Sequence, residues 1–189
     1  GICAGADGRL VCAPRVGSPI LTIDPHRPTI DGIPGAGEGV FKFDGICHCA
    51  DGRLYCAPSN SPYILSIDPR TQSLEFIEGA GQEPSQFAGA CEGADGKLYF
   101  APCGSTAVLV LDPSARSCSL IAGAGNGVWK YHGICAAKDG RLYCAPENSD
   151  SVLVIDPRSQ ELSFIHGVGA GDYKYGGICL GDDGCLYCA

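Results

Sequence analysis

The stretch GICHCADGRLYCAP, residues 45–58, contains three cysteines and a histidine within fourteen residues. Closely related stretches begin at Gly1, Gly89, Gly133 and Gly177, so the phrase returns every 44 residues without an insertion or deletion. Each unit also contains an apolar segment ending in Asp-Pro and a shorter alternating segment that runs into a glycine-rich stretch. A fixed period of this length is typical of repeat architectures. The repeats occupy residues 1–44, 45–88, 89–132 and 133–176, followed by a partial repeat at 177–189.

The composition favours a globular protein that does not bind nucleic acid. The chain of 189 residues is long enough for one domain with a substantial core. Its residues are 45% hydrophobic and 18% charged, as in a globular protein. The net charge of −8 argues against nucleic acid, which requires a basic surface. No apolar run reaches the roughly 20 residues that span a bilayer. Because the chain starts on a repeat boundary and stops within a repeat, we expect a fragment or a processed form, with any targeting segment outside it.

The second unit predicts four short strands. Gly45–Ala50 and Arg53–Ala57 are apolar stretches separated by the turn Asp51-Gly52. Tyr63–Ile67 is a third strand that ends at an Asp-Pro turn, and Leu74–Ile77 is a fourth. The first three strands are apolar on both faces, as in strands that are covered on both sides. The fourth alternates, as an outer strand does.

A four-stranded unit that is apolar on both faces must stack on copies of itself. This pattern predicts the blade of a β-propeller, for which about 40–50 residues per blade is usual. A β-solenoid is the alternative, but its coils are shorter and lack a two-residue hairpin signal at this position. We therefore expect an all-β protein, with residues 1–189 forming a single β-propeller domain of four complete four-stranded blades and the inner hairpin of a fifth.

The motifs DGRLYCAP, VLVIDPR and LSFI, in that order, resemble the blade motif of the NHL/streptogramin-lyase-like and kelch-like propeller superfamily. The resemblance covers the whole chain, unit by unit. It implies the fold rather than a function, because the superfamily includes enzymes, ligand binders and interaction modules.

The resemblance also implies that the first strand of each unit lines a central channel. We expect a five-bladed ring in which strands preceding Gly1 pair with Gly177–Ala189 to complete the fifth blade. Two alternatives remain: the missing strands follow Ala189, or the chain is part of a larger ring.

Thirteen cysteines raise the question of disulfide bonds. With a two-residue turn, the third and twelfth positions of a unit face each other across the hairpin, and a disulfide is conceivable. With a three-residue loop and a left-handed glycine, position three faces position eleven, and the demanding geometry of a disulfide makes a bridge unfavourable. The pairs that oxidation would join are Cys3 with Cys12, Cys47 with Cys56, Cys135 with Cys144, and Cys179 with Cys188.

Two observations favour free thiols. Unit three has Phe100 at the twelfth position and keeps Cys91, and the odd number of cysteines leaves at least one thiol free. Cysteine then serves as a small apolar filler where blades meet. Reduced thiols would fit an intracellular or organellar location.

A metal site is not predicted at residues 47–49. Along a strand, Cys47 and Cys49 share one face while His48 points to the other. Tetrahedral zinc sites use spacings such as C-x₂₋₄-C with a second pair nearby, which this segment does not offer. We predict neither a metal nor a cofactor.

Candidate binding residues lie on one rim, where the loops entering each inner strand meet the loops between the second and third strands. Asp44 and His132 occupy the same repeat position and differ between units, so they are the first candidates for a ligand or partner site. Lys42, Lys130 and Lys174 would form a basic ring that attracts an anionic ligand or partner surface. The alternative is a solvated rim, with the lysine stems lying on neighbouring aromatic rings.

The motifs and the channel strands bear on function. The sequence contains no G-x-S-x-G, HExxH or P-loop motif. The channel strands are small and apolar, with His48, Glu92, Lys138 and Asp182 as polar exceptions, and they are poor in the oxygen ligands that Ca²⁺ requires.

The uniform repeats favour a non-catalytic scaffold for protein–protein interaction, such as an accessory subunit of a larger assembly. The alternative, implied by the resemblance, is a lyase- or lactonase-type enzyme or a small-ligand binder that uses the propeller mouth.

Overall fold

The repeats fold into a series of antiparallel sheets. The computed structural model describes residues 1–17 and 19–189, and these residues form eighteen β-strands and no helix. None of them belongs to a helix of the length and apolarity that a membrane crossing requires. The strands are β1 (Ile2–Ala4), β2 (Leu10–Cys12), β3 (Ile20–Asp24), β4 (Thr29–Ile33), β5 (Phe43–His48), β6 (Leu54–Pro58), β7 (Tyr63–Ile67), β8 (Leu74–Glu78), β9 (Phe87–Glu92), β10 (Leu98–Pro102), β11 (Ala107–Asp112), β12 (Ser117–Ala122), β13 (Tyr131–Ala136), β14 (Leu142–Pro146), β15 (Ser151–Asp156), β16 (Glu161–His166), β17 (Ile178–Leu180) and β18 (Leu186–Cys188).

Each complete repeat forms one four-stranded meander. The sheets have the orders β1-β2-β3-β4, β5-β6-β7-β8, β9-β10-β11-β12 and β13-β14-β15-β16, and β17-β18 forms a separate hairpin. These sheets are the four blades and the inner hairpin of a fifth, so the predicted fold class is confirmed. The inner strands of the second, third and fourth blades begin two residues before the predicted repeat boundary, at Phe43, Phe87 and Tyr131. A register shift near the start of each strand, beside Pro58 in the second blade, accommodates the additional residues.

The core lies between the blades. Val11 and Ile20 of the first blade pack in one cluster with Leu54 of the second. Tyr99 of the third blade packs in the same way with Leu142 of the fourth. Burying a side chain of this size contributes about 1.5–3 kcal/mol, so the contacts between blades stabilise the array. This arrangement explains why the first three strands of each unit are apolar on both faces.

The Asp-Gly turn is built the same way in each repeat. In the second blade, Gly52 has φ 83° and its N–H donates to the carbonyl of Cys49, which gives a three-residue loop with a left-handed glycine. Asp51 accepts from the backbone N–H of Arg53 at 2.9 Å and from the Tyr55 hydroxyl at 2.7 Å. The same aspartate–tyrosine bond recurs in the third and fourth blades and in the fifth hairpin.

The Asp-Pro turns between the third and fourth strands are closed by their aspartates. Asp68 accepts from the backbone N–H groups of Arg70 at 2.9 Å and Thr71 at 3.2 Å. Equivalent bonds occur in the other three complete blades. These side chains therefore form the turns that the sequence predicts, as an Asx-type bond does.

Candidate functional site

The two loop sets expected on one rim are joined by backbone hydrogen bonds. The N–H of Lys42 donates to the carbonyl of Arg15 at 3.0 Å, and the N–H of Lys174 donates to that of Glu147 at 2.9 Å. The second and third blades have the same bond. The fifteenth position of each unit therefore lies beside positions 42–44 at the mouth of the channel.

Four polar side chains meet at this mouth. Asp44 Oδ2 lies 3.6 Å from His132 Nε2, although the two residues enter different blades. The same carboxylate oxygen lies 3.7 Å from a guanidinium nitrogen of Arg15. Glu147 interacts electrostatically with each of these three residues. The structure thus brings together the two residues that the sequence singles out at position 44 and two from position 15.

The His132 ring is held in one orientation. Its Nδ1 lies 2.7 Å from the Gly176 carbonyl oxygen, which only accepts, so Nδ1 carries the proton. Nε2 faces the Asp44 carboxylate and is best satisfied when it is protonated as well. The interaction with Asp44 therefore raises the pKa of His132, and burial opposes this rise only in part.

Asp44 remains ionised despite its burial. Burial disfavours its charged form, but the His132 ring and the Arg15 guanidinium outweigh that effect and lower the pKa of the carboxyl. The carboxylate and the imidazolium therefore coexist over a wider pH range than they would if the two side chains were apart.

Glu147 differs from Asp44. The residue is only 9% exposed, and its Oε2 atom has no hydrogen-bond partner among the described residues. Burial raises its pKa, Asp44 adds to the rise, and the positive charges of His132 and Arg15 counteract it in part. A buried carboxyl without a partner is costly in a folded protein and therefore requires an explanation.

A cavity of about 310 Å³ opens at this mouth. Asp44 and His132 lie in its wall, and the remainder is formed by the first residues of the inner strands, which are glycine, alanine and isoleucine. Polar groups at one end of an apolar, concave space are the usual arrangement of a small-molecule site.

The structure does not show the predicted ring of exposed lysines around the mouth. Lys42 and Lys130 are buried, at 7% and 5% exposure, rather than displayed around the mouth. The Lys42 ammonium donates to the carbonyl oxygens of Gly17 at 2.7 Å and Ala36 at 3.0 Å. The Lys130 ammonium donates to that of Ser105 at 2.9 Å. The two ammonium groups thus bind carbonyl oxygens of the loops between the second and third strands, at Gly17 and Ser105, and Lys42 also binds the glycine-rich loop at Ala36.

Lys174 is more accessible but is held similarly. Its ammonium donates to the Gly171 carbonyl oxygen at 2.7 Å. Arg15, rather than a lysine stem, lies over an aromatic ring, with its Cζ atom 5.0 Å from the centroid of Phe41. Lys42 and Lys130 therefore offer no exposed ammonium group to an anionic ligand.

All thirteen cysteines are free thiols. Cys47 faces Tyr55 across the first hairpin of its blade, so position three pairs with position eleven. Of the two predicted registers, this is the one with a three-residue loop. The hairpin pairs considered for oxidation, Cys3/Cys12, Cys47/Cys56, Cys135/Cys144 and Cys179/Cys188, are therefore diagonal rather than opposite.

Some thiols instead approach each other between blades. Burial raises the pKa of Cys144, and Cys91 of the preceding blade raises it further. Burial also raises the pKa of Cys56, the N-terminal ammonium group opposes the rise, and Cys3 of the preceding blade adds to it. Among the described residues, no group of three or more His, Cys, Asp or Glu side chains is arranged to hold a metal ion.

Sequence reasoning missed Arg15 and Glu147. Both are the first residues of loops that it placed on the mouth rim, and position 15 reads Arg15, Ser59, Cys103 and Glu147 through the four units. Variation at one repeat position is the signal that identified Asp44 and His132, and it would have identified these residues as well.

No protein-family profile matches the sequence, and no curated protein matches it. Solved structures do resemble it. Virginiamycin B lyase from Staphylococcus aureus superposes with a TM-score of 0.83 at 16% identity, over 99% of this chain and 61% of the lyase. A streptogramin B lyase gives 0.82 at 18% identity, over 100% of this chain and 61% of that protein. An auxiliary nutrient binding protein from Bacteroides thetaiotaomicron gives 0.71 at 11% identity, over 99% of this chain and 55% of that protein.

The chain thus spans about three fifths of the length of these lyases. At such low identity the likeness concerns the fold alone. The protein is a β-propeller whose fold is similar to that of these lyases and of the nutrient binding protein.

Proposed function

We propose that this propeller binds a small polar molecule at the channel mouth, with Asp44, His132 and Glu147 as the recognising groups. The observation that carries the proposal is the buried Glu147 carboxyl, whose Oε2 atom has no hydrogen-bond partner in the described structure. A ligand that offers a hydroxyl, amide or ammonium group at this point would satisfy that atom. The sequence alone favours an interaction scaffold, and this unsatisfied carboxyl is the reason for preferring a ligand site.

Acid–base chemistry is a further possibility for the same residues. His132 and Glu147 both have raised pKa values and lie on the same rim. Neighbouring groups with shifted pKa values are typical of sites that transfer protons. In this form of the proposal, His132 donates a proton to the ligand and Asp44 keeps the ring oriented, as in a lyase-type reaction.

A protein partner on the same rim is the second candidate. The rim carries exposed apolar side chains, with Val128 at 65% and Tyr173 at 74% exposure. Apolar groups around a polar mouth are a common feature of protein-binding surfaces. A partner of this kind would contact the rim without depending on the buried Glu147 carboxyl.

A ligand-observed NMR screen with a library of small polar compounds separates these candidates. Wild-type protein is compared with Glu147→Gln, which keeps the shape of the side chain, and with Glu161→Gln on the exposed outer strand of the same blade. We expect compounds that bind the wild type and Glu161→Gln and bind Glu147→Gln much more weakly. If no compound depends on Glu147, the small-ligand proposal is wrong.

A further inference from the structure

The second unit lacks the lysine that the other three complete units carry before the next inner strand. This position is occupied in turn by Lys42, Gln86, Lys130 and Lys174. The backbone of Gln86 is nevertheless placed as in the other units, because its N–H donates to the Ser59 carbonyl at 3.0 Å, the equivalent of the bond from Lys42 to Arg15. The Gln86 side chain is buried, at 8% exposure. The second unit therefore buries a neutral side chain where the first and third units bury an ammonium group.

The buried ammonium groups bind backbone carbonyl oxygens of two loops. The Lys42 ammonium donates to the carbonyl of Gly17, in the loop between the second and third strands, and to that of Gly37 in the glycine-rich loop. The Lys130 ammonium donates to the carbonyl of Ser105 in the first of these loops and also to the glycine-rich loop of its own unit. In both units the two loops thus form a cluster of oxygen atoms around a positive charge.

The equivalent carbonyl oxygens of the second unit accept no hydrogen bond from the part of the chain that the structure describes. They belong to Ser61, Ala80 and Gly81. Ser61 and Ala80 are buried, so solvent does not freely replace the missing donor. Buried acceptors of this kind normally have a partner, which indicates that a bound group supplies the donor or the charge.

The end of the Gln86 side chain points to the same place. A Cβ atom on Gly81 would lie 2.9 Å from Gln86 Oε1 and 3.2 Å from Nε2, so the amide lies against the glycine-rich loop. The buried Nε2 atom has no hydrogen-bond partner among the described residues. Lysine is one bond longer than glutamine, so the amide stops short of the position that an ammonium group reaches.

The charge of the loop also favours a cation. The second unit has Glu83 where the other three complete units have glycine. It has thus lost a lysine and gained a carboxylate in the same loop. The first unit has a carboxylate in this loop as well, at Glu38, but it is accompanied by Lys42.

We propose that the second unit binds a small monovalent cation, potassium or ammonium, between the Gln86 amide and the carbonyl oxygens of Ser61 and Ala80. A half-turn about the last side-chain bond exchanges the two amide atoms and places Oε1 in the buried position, facing the cation. Carbonyl oxygens replace the hydration shell of potassium in proteins, and ammonium has the same chemistry as the lysine head group. Because the ligands are backbone and amide oxygens, such a site leaves no histidine or cysteine spacing in the sequence.

The test is thermal unfolding of the full chain in the chloride salts of potassium, ammonium and tetramethylammonium at equal ionic strength. Tetramethylammonium screens surface charges equally well but is too large for the site. We expect the Tm of the wild type to be about 2–4 °C higher with potassium or ammonium, because an ion that binds only the folded state stabilises it. The two salts identify which ion is preferred. An equal Tm in all three salts would mean that the proposal is wrong and that water satisfies the loops.

The matched variant is Gln86→Lys, which restores the residue of the other units and supplies its own ammonium group. We expect it to melt in the tetramethylammonium salt at least as high as the wild type does with potassium or ammonium, and to gain nothing from either ion. Gln86→Met has a similar length without an amide oxygen and should also lose the response. Gln82→Lys, at an exposed position of the same loop, is the control and should keep it. A response that persists in Gln86→Lys or Gln86→Met would place the ion elsewhere and contradict the proposal.

Discussion

A Cβ atom on Gly45 would lie only 2.8 Å from the Cα atom of Gly89 in the next inner strand. It would also collide with the Ala88 carbonyl oxygen. Gly89 has the same relationship to the following unit, where its Cβ would lie 2.7 Å from the His132 carbonyl oxygen. Gly45 and Gly89 are thus glycine because the inner strands approach one another there more closely than a side chain allows.

We therefore expect Gly45→Ala to destabilise the protein by about 1–3 kcal/mol, the usual range for overpacking. Urea denaturation of the variant and the wild type measures the difference. Gly177→Ala is the control, because an added Cβ there would meet no described atom within 4 Å. Equal stability of the two variants would show that the inner strands do not make this contact.

Lys130 gives a second prediction about stability. Its buried ammonium donates to the carbonyl of Ser105 at 2.9 Å and to that of Gly127 at 3.2 Å. Lys130→Met leaves these acceptors without a donor, so we expect a loss of about 1–3 kcal/mol in the free energy of unfolding. Lys97→Met, at a less buried lysine of the third blade, should change stability much less. An unchanged free energy of unfolding in Lys130→Met would show that Lys130 is exposed on the rim, as the sequence predicts.

Glu147 should reduce stability more as the pH rises. Burial raises its pKa in the folded state, so the folded protein holds the proton more tightly than the unfolded chain does. This contribution is present below the unfolded pKa and is lost as the pH rises through the folded value. We expect Glu147→Gln to melt at a higher temperature than the wild type, by a margin that grows from pH 4 to pH 8. The exposed Glu161→Gln variant should show no such trend, and a margin that shrinks with pH would refute the assignment.

The thiols should differ widely in reactivity. Cys179 and Cys185 are exposed, whereas Cys56 and Cys144 are fully buried and have raised pKa values. With a chromogenic disulfide reagent, we expect the first two to react rapidly in the native protein and the last two only after unfolding. Denatured protein purified under reducing conditions should titrate all thirteen thiols. Rapid labelling of Cys144 in the native state would contradict the packing between blades.

Much of the fold is predictable from the sequence because the repeat makes each local signal appear several times. The apolar strands and the Asp-Gly and Asp-Pro turns follow from short-range chemistry, whereas the inner strands of three blades begin two residues before the repeat boundary. The sequence does not determine the hairpin register, since two-residue and three-residue turns both fit Asp51-Gly52. The left-handed Gly52 within a three-residue loop decides between them.

The site was predictable only in part. Asp44 and His132 stand out by their variation, but their contact across the channel depends on how the blades are arranged around it. The burial of Lys42 was not predictable, because a lysine beside an aromatic residue in a loop is usually solvated. Glu147 became a candidate only when its burial and its unpartnered oxygen were visible.

The central claim is that residues from different blades meet at the channel mouth, and the titration of His132 tests it most directly. NMR of the His132 ring in the wild type should give a pKa above the ordinary histidine value, because Asp44 stabilises the imidazolium. Asp44→Asn should lower that pKa, and Asp31→Asn on an exposed strand of the same unit should leave it unchanged. A His132 pKa that is ordinary in the wild type and indifferent to Asp44→Asn would mean that the two side chains do not meet and that the proposed site does not exist.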